Sequence, residues 1–225
     1  MPATITFLGH AAFRLSDGTH TVLVDPFLTG NPIAEAAGLS ADDESPTHIV
    51  LTHGHEDHVG DAVAISQRTG APIIAAFELA NLLEEQGATN LDPANPGGGV
   101  AQSFGRVDLT HAFHSSSFGG RYTGMPCGLM IRFADRTIYH SGDTGLFGDM
   151  KLLGELHRPD VAILPIGDRF TMGPAHASLA AEFVGAKVAI PCHYNTWPLI
   201  EQDPKDFKPA GIEVRVLDPG QSTTV

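Results

Sequence analysis

Apolar residues along this chain fall into short runs, and nearly every run stops at a loop crowded with Gly, Pro, Asp or His. Runs of that length bounded by turn residues predict strands, here over 4–8, 21–24, 48–51, 73–75, 101–104, 107–109, 129–133, 137–139, 161–165, 188–191 and 214–217. The first two are rich in β-branched residues and bracket Asp17-Gly18, so they predict an opening β-hairpin. Helices are predicted over 57–67, 76–86, 150–156 and 179–184. Glu56 and Asp57 stand at the start of the first of these, where carboxylates suit the helix dipole. Residues 90–99, with Pro93, Pro96 and three successive Gly, read as a surface loop joining two halves of one sandwich. Strands interleaved with helices predict an α/β fold, and the lack of any repeat of about 20–50 residues excludes a solenoid or propeller.

A chain of 225 residues can bury a sizeable core without a disulfide or a structural metal, and one domain is its simplest reading. Two Cys, Cys127 and Cys192, cannot form a disulfide framework, so they read as buried free thiols in a reducing compartment. No stretch approaches the ~18 apolar residues of a membrane span, and no secretory leader is visible, so the expected location is cytoplasmic. Thirteen Lys and Arg against 26 Asp and Glu give a net charge of −13, which argues against a nucleic-acid or anionic-membrane surface. Twelve His beside one Trp and three Tyr are the anomaly. Histidine in such excess points to ligands or proton carriers.

The informative segment is Ile49-Val50-Leu51-Thr52-His53-Gly54-His55-Glu56-Asp57-His58. In extended chain, positions two apart face the same way, so His53 and His55 can present their imidazoles to one point. Asp57 and His58 can aim at a second point as the chain turns into a helix. A polar loop with solvated histidines is the bland alternative, but imidazoles are poor loop formers and two such half-sites in six residues call for a cation. The remaining ligands are expected at other strand ends. Three loops qualify: one with His111 and His114 before Ser115-Ser116-Ser117, one reading His140-Ser141-Gly142-Asp143, and one reading Cys192-His193-Tyr194-Asn195. Each is weak alone, whereas four strand ends carrying ligands make a crevice typical of α/β scaffolds.

His53-x-His55-x-Asp57-His58, followed by a His, a Gly-Asp and a late His, resembles the metallo-β-lactamase superfamily, whose fold is a four-layer αβ/βα sandwich. Gly9-His10-Ala11, Asp25-Pro26-Phe27, Phe113-His114-Ser115-Ser116-Ser117, Tyr139-His140-Ser141-Gly142-Asp143-Thr144-Gly145-Leu146-Phe147, the segment from Pro165 to Pro174 and His193-Tyr194-Asn195-Thr196 narrow the resemblance. They are similar to a bacterial and archaeal family of UPF-type metal-dependent hydrolases related to ascorbate-6-phosphate lactonase. The resemblance covers almost the whole chain, implying one hydrolase domain over 1–225. It implies a first metal on His53, His55 and His114, a second on Asp57, His58 and His193, and Asp143 bridging the two. The spacing alone leaves His111 and His114 open; the family pattern favours His114. His10 and Asp25 would stand beside the ligands or face substrate. His176 departs from the acidic residue expected in the Met-Gly-Pro loop and reads as a surface change.

Five His and two Asp, without a thiolate, suit Zn, Mn or Fe. Two such ions about 3.5–4 Å apart would clamp a bridging hydroxide at neutral pH, so no Ser or Cys nucleophile is needed. Ser115 to Ser117 lack the Gly-x-Ser-x-Gly elbow and read as a loop orienting His114. Asp57 would be the catalytic residue, orienting the water and passing a proton to the leaving group. The expected substrate is a small-molecule ester, lactone or phosphodiester, anionic in character, met by Arg169, Arg121 and Asn195. The competing readings are a non-catalytic metal-binding or metabolite-sensing protein, a di-iron oxidoreductase and a nuclease. The di-iron relatives carry Glu where this chain has His55, and a nuclease would need a basic run that is absent here. A homo-oligomer is compatible with all of them.

Overall fold

The structure, a computed structural model, describes residues 2–225. The first half builds strands β1 (Thr4–Gly9), β2 (Ala12–Ser16), β3 (Thr21–Val24), β4 (His48–Val50), β5 (Ile73–Ala76) and β6 (Leu91–Ala94). The second builds β7 (Gly99–Gln102), β8 (Gly105–His111), β9 (Ser117–Phe118), β10 (Arg121–Tyr122), β11 (Cys127–Phe133), β12 (Arg136–His140), β13 (Val161–Pro165), β14 (Val188–Cys192) and β15 (Glu213–Val214). A last strand, β16 (Ser222–Thr224), returns to pair with β1. Two seven-stranded sheets result, ordered β16-β1-β2-β3-β4-β5-β6 and β15-β14-β13-β12-β11-β8-β7, with β9 and β10 as a separate ribbon. The helices are α1 (Pro32–Ala36), α2 (Glu56–Val59), α3 (Ala62–Thr69), α4 (Phe77–Glu85), α5 (Met150–His157) and α6 (Pro174–Val184).

Strand periodicity explains the layering. In β11, Leu129, Ile131 and Phe133 turn into the core shared with the first sheet, while Met130 between them joins a second cluster under α5 and α6. In β13, Val161 and Ile163 face the first cluster, and Ala162 and Leu164 the second. Buried on both faces, such strands read as continuous apolar runs. Residues of α3 and α4 complete the first cluster, so the layers run helix, sheet, sheet, helix, as the expected αβ/βα sandwich requires.

Several expectations need correction. The chain opens with a three-strand meander: β2 lies between β1 and β3, and the Asp17-Gly18 turn joins β2 to β3. Phe13 and Leu15 are the only large apolar residues of β2, so its alternation is brief. The helix expected over 57–67 breaks at Gly60, whose φ is +41°. A Cβ there would lie 2.6 Å from Phe27 Cα and Pro26 O, so only glycine allows the chain to pass. Residues 90–99 are not only loop: Leu91–Ala94 pairs with β5 at the sheet edge, a position that tolerates Pro93. The strand expected over 101–104 runs instead over Gly99–Gln102, α6 begins at Pro174, and the last predicted strand shrinks to Glu213–Val214. α1, β9, β10 and β16 were not predicted; each is too short to show a period.

Both cysteines are free and buried. Burial pushes the Cys127 thiol up to about 12, where it is inert as a nucleophile. Cys127→Ala is therefore expected to keep activity within about twofold, with a stability loss of about 1 kcal/mol, that of one small buried group. A kinetic comparison checks this, and a large fall in kcat would give the thiol a chemical role. No helix among the described residues is long and apolar enough to cross a membrane.

Candidate metal centre

The strand pairings fix where the donors meet. β1, β3 and β4 all run the same way, since β1 and β3 flank antiparallel β2 and β3 is parallel to β4. In the other sheet β8, β12 and β14 likewise share a direction. Every expected ligand, and the two groups expected beside them, lies just beyond the C-terminal end of one of these six strands: His10 after β1, Asp25 after β3, His53 to His58 after β4, His114 after β8, Asp143 after β12 and His193 after β14.

Three groups of donor atoms converge there, each within 4.8 Å of one another: His53, His55 and His114; His53, His58 and Asp143; and His10, Asp57, His58 and His193. The structure thus brings together all seven residues expected as ligands, and adds His10. His111 stays on β8, exposed and opposite Cys127, outside these groups. Asp143 stands at the centre. Its Oδ2 is 3.0 Å from His193 Nε2 and 3.6 Å from His114 Nε2, and its Oδ1 is 3.4 Å from His58 Nε2.

Outer residues set which ring nitrogen faces inward. Asp25 is fully buried and accepts three bonds: from the Thr52 N–H at 2.8 Å, the Thr52 hydroxyl at 2.6 Å and His58 Nδ1 at 2.7 Å. His58 therefore turns Nε2 to the cluster, the usual carboxylate–histidine support of a metal ligand. Thr52 Oγ1 in turn accepts from His53 Nδ1 at 2.9 Å, freeing His53 Nε2. The Gly54 N–H between the paired histidines donates to Ser116 Oγ, which bonds the Thr123 hydroxyl at 2.6 Å. A Cβ on Gly54 would fall 2.2 Å from Thr123 Oγ1, so this turn admits no larger residue without movement. Ser116 is thus a prop for the His53–His55 turn. Ser115 Oγ lies 3.4 Å from His55 Nε2.

His10 is fully buried, bonded through Nδ1 to Thr196 Oγ1 at 2.8 Å and through Nε2 to Asp57 Oδ2 at 3.0 Å. Its carbonyl accepts the His193 N–H at 2.7 Å. One residue of the first sheet thereby ties Asp57 to His193 of the second. His140 is also buried, but its Nε2–H donates to Ala11 O and its Nδ1 accepts the Gly142 N–H, so it holds the Asp143 loop in shape. Four residues here, His10, Asp25, His193 and Asn195, have φ between +45° and +58°, a left-handed conformation rare for non-glycine residues. Such strain gathers where a fold over-determines its functional side chains. Thr52, Thr196, Ser116 and Thr123 carry no ligand signature, and their only sequence signal is a hydroxyl close to a candidate ligand.

The electrostatics suit a cation. Burial pushes the His53 imidazole well below its usual range, helped by the charge at His58, and burial with His193 takes His10 down to about 4. Burial opposes charge on Asp143 and on Asp57 too, yet the imidazoles around them hold both carboxyls well below the usual range. At His58 burial is outweighed by Asp143 and Asp25, which hold it well above. The field that draws a proton to His58 would equally draw a metal ion. Two buried atoms facing each other, His58 Nε2 and Asp143 Oδ1, have no hydrogen-bond partner. Unsatisfied buried polar atoms are costly, and a cation between them would satisfy both. Neutral imidazoles and ionised carboxylates are the donor states a divalent ion needs.

The polar residues expected around the pocket divide. Arg169 is exposed on the loop between β13 and α6, with its guanidinium 5.8 Å from the Phe170 ring. Asn195 is exposed and its Oδ1 accepts the Gln202 N–H. Arg121 is on β10, paired with Glu85 of α4. His176 is exposed in the first turn of α6.

Residues 20–194 match the family described as Beta-lactamase superfamily domain. The chain is 48% identical over 226 residues to a UPF0173 metal-dependent hydrolase of Shouchella clausii, a match covering 97% of this chain and 98% of that protein. It is 49% identical over 226 residues to another of that name from Geobacillus thermodenitrificans, again across 97% and 98% of the two chains. The solved structure of a metallo hydrolase from the hyperthermophilic archaeon Ignicoccus hospitalis superposes with a TM-score of 0.90 at 36% identity, covering 100% of this chain and 99% of that one.

Proposed function

Because the chain belongs to the β-lactamase superfamily and, within it, to the UPF0173 metal-dependent hydrolases, we propose that its centre takes two divalent ions and hydrolyses an ester, lactone or phosphodiester of a small, anionic metabolite. The observation that carries this reading is Asp143, whose two oxygens reach His58, His114 and His193 across separate donor groups. His53, His55 and His114 would hold one ion, Asp57, His58 and His193 the other, with Asp143 shared; Zn, Mn and Fe all suit this nitrogen and oxygen set. When bound, two such ions would supply hydroxide at neutral pH and polarise the oxygen that gains charge.

The protein's own residues do the rest. Asp57 is ionised and its side chain is 28% exposed, so it is the carboxylate with access to incoming water. Its Oδ2 can take the proton of the attacking water and return it to the leaving group. His10 Nε2 holds that oxygen at 3.0 Å, and Thr196 holds His10, which fixes the carboxylate's aim.

Stripping the protein with chelator is expected to abolish turnover of p-nitrophenyl esters and bis-nitrophenyl phosphate, and Mn or Zn is expected to restore it with two equivalents bound. Mass-spectrometric metal analysis beside the assay checks both points. Turnover indifferent to metal overturns the mechanism.

A further inference from the structure

Two loops that carry proposed ligands, and the loop after β13 that is hydrogen-bonded to one of them, carry large aromatic side chains. Phe113 precedes His114 and is 66% exposed. Phe147 follows Asp143 by four residues, and its ring centroid is 5.1 Å from that of Phe113. Phe170, 52% exposed, is on the loop after β13. These loops are laced together at Thr144, the neighbour of Asp143. The Phe113 N–H donates to Thr144 Oγ1 at 2.9 Å, the Gly145 N–H to Phe113 O at 3.1 Å, and the Met172 N–H to Thr144 O at 3.1 Å. The Phe170 loop is anchored on its other side beside His193, since the Ile166 N–H donates to Cys192 O and Gly167 packs against the His193 backbone. Across the cluster, Trp197 meets the His10 ring edge-on with centroids 4.8 Å apart, and the Phe27 ring is 6.2 Å from that of Trp197.

Single exposed apolar residues need no explanation, but rings gathered on the loops of a polar donor cluster do. Binding sites join an apolar wall to a few polar groups that fix orientation. Phe113 and Phe147 share loops with His114 and Asp143, and the Phe170 loop is bonded to Thr144 beside Asp143, so a molecule reacting at the donors would meet the rings.

We infer that the substrate of this centre carries an apolar acyl or aryl group of several carbons beside its scissile bond, seated against Phe113, Phe147 and Phe170. The inference rests on the hydrolytic reading above and names the substrate class within it. Arg169, over the Phe170 ring, supplies one cation at the edge of the wall for an anionic end of such a molecule.

Metal-loaded protein tests this with p-nitrophenyl acetate and hexanoate. A fully buried methylene is worth about fourfold, so four partly buried ones are expected to raise kcat/KM about tenfold or more. Phe113→Ala and Phe170→Ala are each expected to lower that hexanoate-to-acetate ratio several-fold. Should one variant fail to fold by circular dichroism, the other carries the comparison. Trp197 is the single tryptophan, so its fluorescence reports binding without turnover. Octanoate is expected to bind at least about tenfold tighter than acetate. A flat ester ratio together with equal affinities overturns the inference while leaving hydrolysis standing. Octanoate preference without turnover of any ester or phosphodiester supports the wall and instead defeats the hydrolytic reading. Sedimentation that finds a wild-type dimer split by Phe113→Ala, with the ester ratio unchanged, also overturns it, because the rings would then cover a second copy.

Discussion

Protein with Asp143→Ala is expected to lose both metal ions after dialysis, while the wild type keeps two equivalents. The side chain is the common neighbour of His58, His114 and His193, and Asp57 is the one other carboxylate among the donors. Its removal takes away one of two carboxylates within reach of the ions. A divalent charge beside a carboxylate gains several kcal/mol even at an effective dielectric of ~20, so each affinity should fall on the order of 10³-fold or more. The loop would persist, because the Gly142 N–H is held by His140, which is held by Ala11. Circular dichroism of the chelated variant separates lost ligation from lost folding. Two equivalents found on the folded variant would refute the bridge.

Asp25→Asn has the second largest expected effect, although Asp25 belongs to no donor group. Asparagine tolerates the left-handed backbone that Asp25 adopts, with φ at +45°, so the change tests the acceptor and not the turn. The amide oxygen can still accept the Thr52 N–H, but the NH2 group then faces both His58 Nδ1 and the Thr52 hydroxyl, where one carboxylate oxygen accepted from both. His58 must respond by moving its proton to Nε2, the nitrogen that faces Asp143. Metal affinity is expected to fall about 10- to 100-fold, the range for losing such a supporting carboxylate. Stability of the chelated protein should fall by about 1–3 kcal/mol, the penalty for an unsatisfied buried polar group. Competition with a chelator and thermal unfolding read the two effects. Unchanged affinity would show that Asp25 does not orient His58.

Much of the centre was legible in the chain because ligand chemistry and strand ends both leave local marks. The His53 to His58 segment needed only the two-residue period of extended chain and a turn into helix. Asp143 and His193 were weak signals taken singly, candidates only as ligand types after apolar strands, and the family resemblance is what singled them out. The choice of His114 over His111 was not legible from spacing, since it depends on where β8 ends: His111 is its last residue and stays paired with Cys127. The fold was legible where strands were long and apolar, as in β11 and β13, and illegible in β2, β6 and α1, where four or five residues carry too little period to read.

The amino-acid sequence by itself determined the donor types, their order along the chain and the expectation that strand ends would gather them. Tertiary structure alone decided which nitrogen of each imidazole faces the centre, and that His10 joins it. The physical reason is distance along the chain. His58 is oriented by Asp25, 33 residues away, and His10 by Thr196, 186 residues away. Asp25 and His58 meet because β3 and β4 are parallel neighbours, and His10 and Thr196 because the two sheets pack face to face, and no local pattern encodes either.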